Sequence, residues 1–394
     1  MAHPVLSPLF LALSLLTLMI WCILLVGRAG FWRVRKPHPA PPPAQWPTVV
    51  AIIPARDEAS VIADAVASVL GQDYPAPLKL IVVDDHSSDG TADAARAAAA
   101  ELGKADVLTV VSARELPSGW SGKVWAQSEG LAAANRLVPD AGWLWLTDAD
   151  IHHGSGVLAA LVARALHEQR GLVSLMVRLR CVSLSERLIV PAFVFFFAKL
   201  YPFGRVNDPN SRVAAAAGGC MLVRRAALAR IGDFAAIRNA LIDDCSLAAL
   251  IKSGASIRLD LADDSHSLRP YDDWHSLWNM IARSAYTQLR HSPLLLAGAM
   301  AGMLLTYLAP PALVVTGLVA GMGIGLTWPA WLAWIGMTVS YLPMLREYRQ
   351  TGWLALLLPV TALFYMGATV ASAWRYSLRR GGQWKGRVQA SAGH

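Results

Sequence analysis

Two carboxylates separated by one small residue follow a run of apolar residues at positions 143–150. The run predicts a buried strand, and open α/β sheets bind their ligands at the carboxyl ends of their strands. Carboxylate oxygens suit Mg²⁺ or Mn²⁺, hard cations that also hold substrate phosphates. Asp148 and Asp150 are therefore candidate metal ligands, although a polar strand end followed by a turn would give the same short pattern.

Four further polar clusters lie at the carboxyl ends of predicted strands or in the loops that follow them. Each cluster is a weak signal alone, but their shared placement favours a binding site over an isolated turn. The clusters are Pro54-Ala55-Arg56-Asp57-Glu58, Val83-Asp84-Asp85 continuing to Thr91, Ser121-Gly122-Lys123, and Asp243-Asp244, which is preceded by Gly218-Gly219.

The composition indicates a membrane protein. The chain has 394 residues, of which 55% are hydrophobic and 16% are charged, whereas soluble domains are about a quarter charged. The net charge of +8 does not indicate nucleic acid as a partner, because the basic residues gather beside apolar segments, as the positive-inside rule predicts. The four cysteines have neither metal-ligand nor disulfide spacing, which fits a reducing cytosol.

The apolar excess lies at the two ends of the chain. Residues 6–26 are uncharged and long enough to cross a bilayer, so 1–28 are interpreted as an uncleaved transmembrane anchor. A basic, proline-rich linker follows at 29–47. Four apolar stretches, at 293–308, 312–326, 331–345 and 353–374, predict three or four C-terminal spans before a basic tail at 375–394. The middle of the chain is then expected to face the cytoplasm.

Between these regions, at 48–290, short apolar runs alternate with helical patterns, which is typical of a mostly parallel α/β sheet. Two aromatic-rich segments, near 189–203 and 271–290, are predicted to be interfacial helices that lie against the bilayer. The predicted strands are 48–54, 78–84, 106–112, 143–147 and 172–179, and the predicted helices are 58–70, 91–102, 124–135 and 155–168.

The order of these motifs resembles that of the family 2 glycosyltransferases from about Thr48 to about Ser253. The matching patterns are Pro-Ala-Arg-Asp-Glu, Val-Asp-Asp-x-Ser-x-Asp-Gly-Thr, Gly-Lys, Asp-Ala-Asp, Gly-Gly and Asp-Asp. The resemblance implies a nucleotide-sugar-binding, GT-A-like mixed sheet and an inverting hexosyltransferase activity. One N-terminal anchor with several C-terminal spans looks like the ceramide glucosyltransferase branch and the hopanoid-cluster-associated glycosyltransferases, which implies a bacterial inner membrane.

The resemblance also implies roles for individual residues. Asp148 and Asp150 would hold a divalent metal, Mg²⁺ or Mn²⁺, on the donor diphosphate, and Asp244 would be the general base. Asp57 or Glu58, together with Asp85, would contact the uracil and ribose of a UDP-sugar. The whole donor set implied by the family comprises Pro54, Arg56, Asp57, Glu58, Asp84, Asp85, Lys123 and Asp148, with Gly218, Gly219 and Asp243 on the acceptor side.

Physical chemistry supports these roles independently. A departing nucleoside diphosphate develops negative charge, which a divalent ion and Lys123 would stabilise. A sugar or lipid hydroxyl is a poor nucleophile, so a carboxylate must take its proton during attack, and one displacement inverts the anomeric centre. The charge of Asp243 beside Asp244 is expected to raise the pKa of that base. Asp84 is as readily explained as a brace for its turn.

Transfer of a single sugar to a membrane lipid is favoured over polymer synthesis. Processive members of the family carry Gln-x-x-Arg-Trp before their C-terminal spans, whereas this chain has Met280, Ala282, Arg283 and Ser284 there. Arg283 remains a candidate for contact with the diphosphate. His152 and His153 follow the metal motif and could join it, but a solvated loop is the simpler interpretation.

Two other enzyme classes fit the sequence less well. A haloacid-dehalogenase-like phosphotransferase also has Asp-x-Asp after a strand, but it needs Thr or Val where His152 stands. A Rossmann oxidoreductase would need Gly-x-Gly-x-x-Gly after the first strand, which is missing. The expected acceptor is a lipid hydroxyl, such as that of a hopanoid or a ceramide-like lipid. The alternatives are transfer to a polyprenyl phosphate and an inactive membrane scaffold.

Overall fold

The computed structural model describes residues 6–378 and two short paired strands at 383–384 and 387–388. The chain divides into two compact units that interleave along the sequence, here called the α/β unit and the helical unit. The α/β unit contains Arg35–Arg180 and Arg205–Pro270, and the helical unit contains the residues up to Val34, Cys181–Gly204 and the described helices from Tyr271 onward.

Eight strands form one mixed sheet in the α/β unit. Their bounds are β1 Val49–Ala55, β2 Leu78–Asp84, β3 Leu108–Ser112, β4 Trp143–Thr147, β5 Ile151–His153, β6 Leu172–Arg178, β7 Cys220–Arg224 and β8 Ile257–Ser267.

The strands lie in the order β3-β2-β1-β4-β7-β6-β8-β5. Parallel pairing joins β1 to β2 and β4, β2 to β3, and β6 to β8. Antiparallel pairing joins β7 to β4 and β6, and joins β5 to β8. The sheet is therefore mixed and mostly parallel, which confirms the fold class expected from the sequence.

All five strands and all four helices predicted for the first part of this unit are present. The largest shift is at the first helix, which begins at Ile62 and not at residue 58. Strands β5, β7 and β8 were not predicted, because they are short or rich in polar residues. The helices of the α/β unit are α2 Ile62–Leu70, α3 Thr91–Glu101, α4 Gly122–Leu137, α5 Val157–His167, α8 Arg225–Arg230 and α9 Asp243–Lys252, with a 3₁₀ helix at Asp233–Ile237.

The central strands are buried along their whole length. Every residue of β1 and of β4 is buried, as expected where helices cover both faces of a sheet. Helix α4 approaches β1 closely at Gly130, where a Cβ atom would come within 2.4 Å of Cγ2 of Ile52. Ile52 is itself fully buried and β-branched, so it has little freedom to move aside. The absence of a side chain at Gly130 therefore sets the position of α4.

Gly130→Val is expected to lower the free energy of unfolding by about 1–3 kcal/mol, because it overpacks the contact with Ile52. Thermal unfolding of the purified protein in detergent, followed by circular dichroism, measures the effect. Gly142→Ala is the control, since a Cβ atom at Gly142 meets nothing within 4 Å. Equal melting temperatures for the two variants would contradict the tight packing of α4.

The helical unit contains eight α-helices among its described residues, besides short 3₁₀ and π-helical turns. A one-turn helix, α7 at Phe203–Val206, lies where the chain passes from this unit to the α/β unit. The eight helices are α1 Leu6–Cys22, α6 Leu184–Leu200, α10 Trp274–Ala282, α11 Ala285–Gln288, α12 Pro293–Met303, α13 Ala309–Val319, α14 Ile324–Glu347 and α15 Leu358–Ser377.

Three helical segments among the described residues are long and apolar enough to cross a membrane. Ser7–Gly27 coincides with the predicted anchor, and Pro293–Val319 and Gly352–Ser377 lie in the predicted C-terminal region. The sequence predicted three or four C-terminal spans, whereas only two segments in that part of the described chain are both long and apolar enough to cross a membrane. One reason is that the first two predicted stretches lie largely within one helical run, Pro293–Val319.

Helix α14 contains another predicted stretch, 331–345, but its residues are less apolar than those of the three candidate spans. Its 24 residues are long enough for a bilayer, so length is not the limit. Three tryptophans, two prolines and two threonines replace aliphatic side chains and lower its mean hydropathy. Within the helical unit α14 packs against α1 and α13.

Candidate active site

Strand β4 delivers the Asp-Ala-Asp motif to the carboxyl edge of the sheet. The chain turns through Asp148 and Asp150 before β5 begins at Ile151. The amide of Ile151 donates a hydrogen bond to the carbonyl of Asp148 at 3.4 Å. The two carboxylates then have different cationic partners, since Asp148 pairs with Lys123 and Asp150 pairs with Arg269.

Lys123 lies in the first turn of α4 and pairs with carboxylates from two other parts of the chain. Its Nζ atom is 2.7 Å from Oδ1 of Asp148 and 3.5 Å from Oδ2 of Asp243. Burial lowers the pKa of Lys123, but the neighbouring carboxylates, led by Asp148 and Asp243, outweigh burial and raise that pKa overall. The ammonium is therefore charged at neutral pH.

Asp244 lies in the first turn of α9, where backbone amides are available to a carboxylate. Its Oδ2 atom accepts a hydrogen bond from the amide of Gly218 at 2.8 Å, and its Oδ1 atom accepts one from the amide of Cys245 at 2.7 Å. Burial, and then the charge of Asp243, raise the pKa of Asp244 from 3.8 to about 6. The sequence predicted a raised pKa for Asp244 from the like charge of the adjacent Asp243.

The glycine pair lets the backbone approach these charged groups. A Cβ atom at Gly218 would lie 3.1 Å from Nζ of Lys123 and 3.4 Å from Oδ2 of Asp244. A Cβ atom at Gly219 would lie 3.0 Å from Cγ2 of Val177. The pair thus leaves room for Lys123 and Asp244 on one side and for the sheet on the other.

The loops after β1 and β2 are hydrogen-bonded to each other. Nη1 of Arg56 donates to the carbonyl of Asp85 at 2.5 Å, and Oδ1 of Asp57 accepts from the amide of Ser88 at 2.9 Å. Oδ1 of Asp84 accepts from the amide of Ser87 at 3.3 Å, in keeping with a role in bracing the turn. Pro54 lies within β1 and Asp57 adopts a left-handed backbone conformation with φ of 49°.

Sequence reasoning missed Arg269, which joins two parts of the site. Its Nη2 atom is 2.6 Å from Oε1 of Glu58, and its Nε atom is 2.8 Å from Oδ2 of Asp150. Burial lowers the pKa of Arg269, but Asp150 and Glu58 outweigh burial and raise that pKa overall. Arg269 follows the unpredicted strand β8, so no motif in the sequence pointed to it.

The two histidines after the metal motif lie in strand β5 and not in a solvated loop, and each has another partner. Nε2 of His153 lies 2.8 Å from Oγ1 of Thr147, and burial lowers the pKa of His153 to about 3. His152 lies 2.9 Å from Oδ1 of Asp64 and stacks on His266. Among the described residues no group of three or more His, Cys, Asp or Glu is arranged to hold a metal ion by itself.

The structure thus brings most of the predicted residues into contact networks within the α/β unit. One network centres on Lys123, with Asp148, Asp243, Asp244 and Gly218. Arg269 joins Glu58 to Asp150 in a second, and Arg56, Asp57 and Asp85 form a third at the ends of β1 and β2. Arg283 lies just after α10, in the helical unit.

The carboxylates and cations at the ends of β1, β2 and β4 lie in a part of the chain that matches a known sequence family. The profile described as glycosyltransferase like family 2 matches residues 47–265, which is more than half of the chain. The chain belongs to this family. It is a glycosyltransferase, as the motifs implied, and no curated protein matches it significantly.

Similarity to a solved mannosyltransferase structure supports a GT-A-like fold for this family 2 glycosyltransferase. A mannosyltransferase from Pyrobaculum calidifontis, solved with GDP-Man and Mn²⁺, is 20% identical with a TM-score of 0.55, over 93% of this chain and 99% of that one. Glucosyl-3-phosphoglycerate synthase of M. tuberculosis is 23% identical with a TM-score of 0.38, over 62% of this chain and 80% of that one. The similarity to the mannosyltransferase is one of fold.

Arg269→Met is expected to lower the free energy of unfolding by about 1–3 kcal/mol, because it leaves the carboxylates of Glu58 and Asp150 without their shared cation. Arg96→Met is the control, since its pair with Asp93 is largely exposed and should contribute less than about 1 kcal/mol. Thermal unfolding in metal-free buffer compares them. If Arg269→Met melts like the control, the bridge does not stabilise the site.

Proposed function

We propose that this glycosyltransferase moves one sugar from a nucleotide sugar, a UDP-sugar by resemblance, to the hydroxyl of a membrane lipid with inversion. The observation that carries the proposal is the cluster around Lys123. It combines a carboxylate, Asp244, whose pKa is raised to about 6, with a cation that is already surrounded by acids. General base and stabiliser of the leaving group are the two roles that the reaction requires.

The residues at the end of β4 fit a divalent metal held jointly with a substrate. Mg²⁺ and Mn²⁺ sites of this kind use one or two carboxylates, and phosphate oxygens and water complete the coordination. Asp148 and Asp150, which follow β4 at the carboxyl edge of the sheet, would supply that donor set. When bound, the ion would neutralise charge on the departing diphosphate.

The chain's own residues account for the remaining steps. As the acceptor oxygen bonds to the anomeric carbon, its proton passes to the carboxylate of Asp244. The bond from that carbon to the diphosphate oxygen breaks on the opposite face, and its electron pair leaves with the nucleoside diphosphate. Lys123 and Arg269 already face acids in this region, so each can exchange a carboxylate partner for a phosphate oxygen.

The donor's nucleoside is proposed to lie against the loops after β1 and β2. Arg56 links the two loops, and Asp57 and Asp85 supply carboxylates to hydrogen-bond base and ribose. Pro54 would form part of the wall, and Asp84 would brace the turn. On the acceptor side, Gly218 and Gly219 leave space beside Asp244, while Asp243 would hold Lys123.

The acceptor is proposed to be a single membrane lipid with a hydroxyl group, of the hopanoid or ceramide-like kind. Three helical segments of the described chain are long and apolar enough to cross a membrane, which supports a membrane-bound enzyme. The missing Gln-x-x-Arg-Trp motif supports transfer of one sugar. The proposed location is the bacterial inner membrane, with the α/β unit facing the cytoplasm where nucleotide sugars are made.

Asp244→Asn is expected to lower the transfer rate by about 10²- to 10⁴-fold, because the amide cannot accept the proton. The measurement is transfer of radiolabel from UDP-sugars and GDP-mannose to host lipid extract by the purified full chain in detergent. Asp263→Asn is the matched control, since Asp263 is exposed and pairs with Lys36 on the surface. Parallel reactions contain Mn²⁺, Mg²⁺ or a chelator.

A labelled, organic-soluble product that requires metal and is lost only in Asp244→Asn supports the proposed reaction, and its mass identifies sugar and lipid. A product bearing a phosphate link to the sugar would instead identify a polyprenyl-phosphate acceptor. Transfer that ignores both the chelator and Asp244→Asn would overturn the mechanism. No consumption of any donor would favour the inactive scaffold.

The transfer rate at saturating substrates is expected to depend on pH through Asp244. Only the deprotonated carboxylate accepts a proton, so the rate should rise about tenfold per pH unit below about pH 6 and level off above it. Asp243→Asn removes the like charge, so the inflection should move to lower pH. An unshifted profile in Asp243→Asn would show that another group sets the inflection.

A further inference from the structure

The last turn of α6 carries a lysine among aromatic rings. Nζ of Lys199 lies 4.5 Å from the ring centroid of Tyr307 and 5.7 Å from that of Phe196. Phe196 lies on the preceding turn of the same helix, and Tyr307 belongs to the π-helical turn Leu304–Leu308. Contact with two aromatic faces stabilises the ammonium and fixes its position.

No acid neutralises this ammonium within the described chain. Lys199 has no side-chain hydrogen bond and no ion pair with any residue from 6 to 378. Burial, and then the positive charge of Arg28, lower the pKa of Lys199 from 10.5 to about 8. A largely buried cation without an anionic partner is costly, so the site favours an anion from outside the chain.

Arg28 places a second fixed cation beside Lys199. Its Nε and Nη2 atoms donate to the carbonyls of Lys199 and Leu200 at 3.0 and 3.1 Å. These carbonyls belong to the C-terminal end of α6, where a helix attracts positive charge. The guanidinium is thereby held in place, and neither it nor Lys199 has a carboxylate partner in the described part of the chain.

Tyr307 adds a polar group to the same cluster. Its side chain is fully buried, and its hydroxyl has no hydrogen-bond partner among the described residues. The ring is held in place by edge contacts with Trp21 and Phe196. The ring face that Lys199 contacts therefore has a fixed position in the helical unit.

We propose that Arg28 and Lys199 bind the phosphate group of a membrane lipid. Two neighbouring cations, the Arg28 guanidinium on the carbonyls at the end of α6 and the Lys199 ammonium, suit a phosphate group, which offers several oxygen acceptors and negative charge. The first candidate span ends at Gly27, one residue before Arg28, and lipid phosphates lie where spans end. The inference rests on the membrane insertion proposed above but not on the transfer chemistry.

The test measures lipid binding by the purified full chain in detergent micelles, using native mass spectrometry to count added lipid. The probes are dioctanoyl phosphatidylglycerol, dioctanoylglycerol, which lacks the phosphate, and inorganic phosphate. Lys199→Met removes the ammonium and keeps a long apolar side chain. Arg33→Gln is the control, because it removes a nearby positive charge that stacks on Trp32 and does not contact Lys199.

Wild type is expected to bind phosphatidylglycerol at least tenfold more tightly than Lys199→Met does, with Arg33→Gln within about twofold of wild type. Dioctanoylglycerol should bind the three proteins equally weakly. Equal loss in both variants, or loss in neither, would overturn the proposal, because a diffuse positive surface would then suffice. Inorganic phosphate bound as tightly as the lipid would overturn the assignment to a lipid.

A pH series separates a bound phosphate from a lysine that merely reaches towards water. Phosphatidylglycerol is a phosphodiester and keeps one negative charge between pH 6 and 9, so only the protein titrates. Wild-type affinity should be constant below about pH 8 and fall above it as free Lys199 loses its proton, whereas Lys199→Met should show no such fall. A wild-type affinity independent of pH would contradict the role of Lys199.

Two further measurements on the same samples separate this inference from the proposed enzyme function. UDP binding in the presence of Mn²⁺ should be unchanged in Lys199→Met, since its contacts lie within the helical unit. Loss of lipid binding with intact UDP binding supports a separate phosphate site. Wild type that stays soluble without detergent and binds no vesicles would instead refute membrane insertion, and this inference with it.

Discussion

The arrangement of the site depends on one electrostatic constraint, the need to hold three carboxylates near one another. Asp148, Asp243 and Asp244 approach from two elements, and their mutual repulsion is offset by the ammonium of Lys123. Lys123 can reach them because α4 lies close to the sheet at Gly130. Packing of α4 against β1 therefore helps to position the ammonium that offsets the charge of the site.

The same constraint gives the two cations a second use under the proposed mechanism. Lys123 and Arg269 balance acidic side chains in the absence of substrate, and a donor diphosphate with a metal ion brings both negative and positive charge to the same place. Exchange of partners then costs little, because each cation passes from a carboxylate to a phosphate oxygen of similar charge. Asp244 is different, since its oxygens accept hydrogen bonds from two backbone amides, which favour the deprotonated form. Burial and the charge of Asp243 outweigh them and raise the pKa of Asp244 to about 6, which suits a group that must accept a proton near neutral pH.

Strongly buried elements were predictable from the sequence, and contacts set by distant pairing were not. Strands β1 and β4 are apolar along their length because both faces are covered, so their runs and the polar residues after them were evident. Strand β8 combines buried apolar positions with exposed acids and histidine, and it pairs in parallel with β6, some 80 residues earlier, so its pattern resembles a loop. Arg269 was missed for this reason, since its partner Glu58 lies 211 residues away. The proposed metal, donor and acceptor rest on chemistry and on resemblance to the family, because no residue pattern specifies them.

The charge pattern of the sequence likewise located the basic residues after the first apolar helix, but it could not show that they have different contacts. Arg28 and Arg33 are equivalent by the positive-inside rule, which counts charges without regard to their partners. In the folded chain Arg33 stacks on Trp32, whereas Arg28 is fixed to the end of α6 beside Lys199, a residue 171 positions away. A lysine within an apolar helix would ordinarily be explained by its long stem reaching towards water. Lys199 differs from such a lysine, because two aromatic rings hold its ammonium in place and a second cation lies nearby. No acid of the described chain pairs with it, so an external anion is needed to balance its charge.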